Sequence, residues 1–102
     1  MYLVQLLLPV YDASGTPFPR ARFDAVRRAL ADQFGGVTAY MRAPAQGLWE
    51  DDAGHMERDE VLLFEVMVEA LDHGWWAAYR QSLEADFAQD EILVRASPVE
   101  RL

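Results

Sequence analysis

Glu65 stands inside EVLLFEVMVE, residues 60–69, with Phe64 before it and Val66 after it. A carboxylate in so apolar a run must be paired, hydrogen-bonded or held protonated wherever something covers it. Glu65 can then serve as a general base, or as an anchor for a donor group on a ligand. The structural alternative is an ion pair with Arg42 or Arg95 that holds two subunits in register. Tyr40 and Arg42 lie two positions apart, the spacing that places both on one face of a strand. Arg42 can fork onto a carboxylate there while Tyr40 supplies a hydroxyl donor. In the alternative, Tyr40 fills a subunit seam and Arg42 neutralises Glu65.

APAQGLW follows, residues 43–49. Pro44 has no amide hydrogen and Gly47 accepts positive φ, so the stretch reads as a hairpin loop longer than most. Trp49 is costly to leave in water and is expected to fold back onto the sheet edge or a second subunit, as a lid or as packing.

Other groups carry weaker signals. Glu50, Asp51, Asp52, His55, Glu57 and Asp59 make an acidic run that matches no EF-hand or zinc spacing, so a solvated hairpin tip is expected and no metal. His55 can still titrate near neutrality. His73 reads as a local cap at a helix start. Trp75 and Trp76 are consecutive and, on a helix, point in different directions, so they do not form one stacking platform. Trp76 belongs to a core stripe, and Trp75 can pair with Tyr79. No nucleophile elbow, P-loop or dinucleotide fingerprint is present, and no His accompanies Ser14, Ser82 or Ser97.

These groups need a scaffold, and composition sets its limits. The 102 residues suit one domain, 1–102, with a core of its own. Cysteine is absent, which removes disulfides, thiolate metal sites and cysteine nucleophiles. All nine basic residues are Arg, so Schiff-base chemistry is excluded and no cofactor is expected. The scarcity of Lys, Asn and Ile beside abundant Ala and Arg points to a GC-rich, bacterial genome. A net charge of -8 argues against nucleic acid and against anionic membranes. MYLVQLLLPV is too short to span a bilayer and has no positive flank, so it reads as a strand of a cytoplasmic protein.

The pattern predicts strands at 2–10, 37–43, 60–69 and 91–96, with helices from Pro19 to Phe34, stopped by Gly35-Gly36, and from an Asp72 N-cap to about Gln89. The order β-α-β-β-α-β predicts a ferredoxin-like α+β domain: an antiparallel four-stranded sheet with two helices on one face. Alternation sends Val4, Leu6, Leu8, Val37, Ala39, Met41, Leu62, Phe64, Val66, Val68, Ile92 and Val94 toward the helices. Leu3, Gln5, Leu7, Thr38, Tyr40, Arg42, Leu63, Glu65, Met67, Leu93 and Arg95 fall on the open face. Gln5 and Glu65 are then neighbours in mid-sheet. A face this apolar calls for a cover, and a homodimer is the simplest.

GGVTAYMRAPAQGLW, followed by DEVLLFEVMVE, resembles a family of small bacterial proteins of unknown function. In that family a Gly-x-Thr strand leads through a loop to Gly-x-Trp and then to a strand with an acidic residue. The resemblance covers residues 20 to 96 and implies a ferredoxin-like, dimeric domain with no assigned activity. A broader likeness is to dimeric α+β barrel proteins, among them small metal-free monooxygenases and isomerases.

Two functions follow. The first is a non-enzymatic, homodimeric binding module whose open face takes a small molecule through Gln5, Tyr40, Arg42, Trp49 and Arg95. The alternative is a cofactor-free enzyme, isomerase- or monooxygenase-like, acting on a small organic acid or aromatic compound. Glu65 would be its general base, with Tyr40 and Arg42 placing the substrate and Trp49 excluding water. A ligand-sized cavity at Glu65 separates the two.

Overall fold

The computed structural model describes residues 1–36, 38–50 and 56–102, with the side chains of 39–50 and 56–59 outside that description. The elements run β1 (Tyr2–Pro9), α1 (Arg20–Phe34), β2 (Thr38–Glu50), β3 (Met56–Val68), α2 (His73–Asp86) and β4 (Val94–Pro98). All strands join one antiparallel sheet in the order β2-β3-β1-β4, and the chain is an α+β fold.

Alternation builds the core. Val4, Leu6 and Leu8 of β1 and Leu62, Phe64, Val66 and Val68 of β3 are buried, because their odd or even partners take the other face. Phe23, Val26 and Leu30 of α1 and Trp76 and Leu83 of α2 complete the same cluster, with Phe87 and Ile92. Phe87 is fully buried and meets Phe18 edge-on at 5.0 Å. Each helix has a local terminator or starter. Gly35 ends α1 in the left-handed region at φ 77°, donating its N–H to the Ala31 carbonyl. Asp72 starts α2 by accepting from the Trp75 N–H at 3.0 Å, so capping falls to Asp72 and His73 is the first helical residue.

Two strands depart from expectation. β2 does not stop at residue 43, and β3 begins at Met56, not near residue 60. Tyr40 pairs with Leu63 and Ala45 with Val61, so the register slips across the residues between. Pro44 lies in that slip, on an edge strand, where a missing N–H costs no ladder bond. Pairing then resumes from Ala45↔Val61 to Glu50↔Met56. Since β1 pairs with β3 only as far as Pro9↔Val61, the rest of the hairpin is a two-stranded ribbon running past the sheet. The expected loop at 43–49 is therefore strand.

β4 begins three residues later than expected and includes Pro98. Ile92 is buried ahead of it, its N–H donated to Glu84 Oε2 at 3.0 Å. Among the described residues no helix is long and apolar enough to cross a membrane.

Candidate functional site

One row of residues crosses the whole sheet. The register sets Thr38 of β2 opposite Glu65 of β3, Glu65 opposite Gln5 of β1, and Gln5 opposite Arg95 of β4. The row lies on the face away from the helices, between the buried positions of each strand. Gln5 Nε2 donates to Glu65 Oε2 at 2.7 Å, and Arg95 Nε donates to Gln5 Oε1 at 2.8 Å. Gln5 and Glu65 are half-buried and Arg95 is exposed. Of the two arginines weighed as partners of Glu65, Arg95 reaches it within one chain through the Gln5 amide and not directly. The cause is the strand order, which inserts β1 between β3 and β4.

Glu65 also lines a cleft of about 300 Å³ with Phe34, Gly35, Gly36, Thr38, Val66 and Met67. That volume is at the lower end of what small-ligand sites enclose. The cleft forms where α1 ends and the chain turns into β2, and a Cβ built on Gly36 meets nothing within 4 Å. Its electrostatics favour a cation. The last turn of α1 has no basic residue to offset the negative end of the helix dipole, and Glu65 lies on the cleft's wall. Phe34 adds an aromatic ring, which attracts cations over its face.

That ring is held from behind. Phe34 lies edge-on to Trp75 at 5.0 Å and stacks on Trp76 at 5.1 Å with 4° between planes. The two tryptophans, expected to serve different places, meet on one phenylalanine. Trp75 also stacks on Tyr79 at 5.0 Å, as their helical spacing allows. Phe34, Gly35 and Gly36 were not among the candidate site residues. Their signal in the sequence was a helix stop, and only the chain reversal turns a helix stop into a cleft wall.

A larger cleft, about 730 Å³, runs between α1 and α2 and is lined by Ala25, Ala29 and Ala85 with Arg22, Tyr79 and Asp86. Its chemistry is poorer. Burial, and then the Asp86 carboxylate, push the Tyr79 phenol up to about 12, so it stays protonated at neutral pH. Arg22 is occupied by the Asp86 carbonyl and by the rings of Phe18 and Phe87. Among the described residues no group of three or more His, Asp or Glu converges as metal ligands would.

Tyr40, Arg42 and Trp49 are placed by backbone only. Tyr40 pairs with Leu63, two residues from Glu65, and Arg42 falls in the register slip. Trp49 pairs with Glu57 in the ribbon, so it belongs to a strand and not to a loop over the sheet. Their side chains, like residues 51–55 of the acidic run, lie outside the described residues.

No family model matches the chain, so the Gly-x-Thr and Gly-x-Trp resemblance finds no support there. No curated protein matches it either. Among solved structures, a phage SAM lyase in complex with S-methyl-5'-thioadenosine is similar, with a TM-score of 0.65 and 13% identity over 94% of this chain and 79% of that one. A phage SAM lyase in the apo state is similar at a TM-score of 0.57 and 14% identity, over 94% of this chain and 78% of the other. At this identity the likeness is one of fold. It is nonetheless a fold carried by an enzyme that binds a small molecule, and this overturns the non-enzymatic binding module as the leading expectation.

Proposed function

We propose that this chain is a cofactor-free enzyme with a ferredoxin-like βαββαβ domain, acting on a small cationic substrate in the Glu65 cleft. The observation that carries the reading is the cleft itself: a ligand-sized space lined by Glu65, whose carboxylate is hydrogen-bonded to Gln5, with a helix C-terminus at its end. The acidic chain, at -8 overall, attracts cations to it. The similar phage enzyme suggests a sulfonium nucleoside as the first substrate to try.

Glu65 would act as the base. Its carboxylate takes a proton from the carbon next to the one bonded to the sulfonium sulfur. The C–H electron pair becomes the new C=C bond, and the C–S bond breaks with its electrons passing to sulfur. A neutral thioether leaves, and the carboxylic acid returns its proton to water. Because a sulfonium leaves as a neutral molecule, correct placement of one base supplies much of what the step needs.

The test is incubation of the purified chain with S-adenosylmethionine and chromatography for S-methyl-5'-thioadenosine. Thioether release by the native chain and none by Glu65→Gln supports the reading. Equal release by both removes Glu65 from the mechanism.

The open face suits a second copy of the chain. Leu3, Leu7 and Leu63 are half-buried there, and Met67 and Leu93 remain 50% and 48% exposed. Apolar rows beside a polar centre are what a homodimer would cover.

A further inference from the structure

The bridge from Arg95 through Gln5 to Glu65 has a direction, and the direction is chemically informative. The Gln5 amide has an oxygen at one end and an NH₂ at the other. Arg95 Nε can only donate, so the group 2.8 Å from it must be the oxygen. The NH₂ is then left for Glu65 Oε2 at 2.7 Å. Turning the amide over would set donor against donor at one end and oxygen against carboxylate oxygen at the other. Both contacts would become repulsive together. The amide therefore has one stable orientation, fixed by a residue that does not touch Glu65.

We propose that Arg95 and Gln5 are positioning residues for Glu65: Arg95 locks the Gln5 amide so that its NH₂ holds one carboxylate oxygen, leaving the other oxygen for the cleft. The proposal rests on the reading of Glu65 as the cleft's working carboxylate. Three features support it. The row is imposed by strand register, so no loop needs to be ordered to form it. Both hydrogen bonds involve a charged group, which makes them shorter and stronger than neutral ones. The amide dipole lies in line with the cation at one end and the anion at the other, so each bond polarises the next.

The sequence offers an unusually clean readout. The chain has five glutamines, Gln5, Gln33, Gln46, Gln81 and Gln89, and no asparagine. Its side-chain amide region in a ¹H–¹⁵N spectrum holds only five NH₂ pairs, and Gln5→Leu identifies the one that matters. In the native chain that pair is expected away from the others and slow to exchange. In Arg95→Met its exchange rises about fivefold, the equivalent of one ordinary hydrogen bond, and its shifts move toward the other four. Arg95→Lys, which still donates, restores part of the difference. A Gln5 pair indifferent to Arg95→Met overturns the proposal.

Turnover supplies an independent arm. If thioether release is observed, Arg95→Met should lower kcat about tenfold with KM little changed, because a charge-assisted contact to the base is weakened and binding surfaces are not. An unchanged kcat overturns the positioning role. If the native chain releases no thioether, the proposed function fails, and the amide spectrum still decides whether Arg95 orients Gln5. Thermal melts of each variant show whether any change reflects loss of fold.

Discussion

Glu65 is engaged on one carboxylate oxygen by Gln5 and is one of the residues that line the cleft beside the end of α1. Replacing it with Gln preserves shape and removes the negative charge, so under the proposed role as base the expected loss in turnover is at least about a hundredfold. The melting temperature of Glu65→Gln should stay near that of the native chain, since the residue is outside the core. A second residue makes a prediction in pH. The folded state holds the Tyr79 phenol at about 12, above its ordinary value of 10.0. Below pH 10 both folded and unfolded chains carry this phenol protonated, and it adds no pH dependence. As pH rises from about 10 toward about 12 the unfolded chain ionises first, so stability falls across that window. An alkaline absorbance titration of the native chain should show one of its four tyrosines ionising late, and Tyr79→Phe should abolish that late step.

At the scale of elements, the starting residue of α2 makes a direct prediction. Asp72→Ala deletes the acceptor of the Trp75 N–H and should cost about 1 kcal/mol in a denaturant titration. This cap was legible in the sequence, as were β1, the sheet face of β3 and the end of α1 at Gly35. Each is written in local signals: alternating aliphatics, an Asp before a helical stripe, a glycine after one. The hairpin was not. Pro44 and Gly47 carry the same local signature in a turn as on an irregular edge strand, and only the partner strand decides between them. The site shows the same division. Alternation placed Gln5 beside Glu65, because a two-residue period and the strand order suffice for that. It could not foresee that Gln5 would come between Glu65 and Arg95 as a bridge, nor that Phe34 and Gly35–Gly36 would wall the cleft. Those facts depend on where side chains end and where the chain reverses in space.

For the whole molecule, the proposed second copy on the open face makes its own prediction. Light scattering across a dilution series should give a mass twice the 11.6 kDa of one chain. Leu93→Arg, which puts a charge at a half-exposed apolar position of that face, should shift the mass toward one chain with the melting temperature nearly retained. A single-chain mass for the native protein at every concentration would show that the face is covered by something else or by nothing.

The central place of β1 reaches beyond the finished structure, into how the chain is made. Its two partners lie far along the sequence, with Gln5 reaching Glu65 across 60 positions and Arg95 across 90. The β2–β3 hairpin closes through local contacts and can form in microseconds, but β1 gains both neighbours only after Val94–Pro98 has been synthesised. Until Met56–Val68 is made, YLVQLLLP has two unpaired edges, and one of them stays open until Val94–Pro98 follows. Such a segment is a template for aggregation for as long as translation lasts. The strand that finally unites the sheet is thus the one a cell must shield longest, and the recovered yield of this protein will follow how well nascent chains are kept apart.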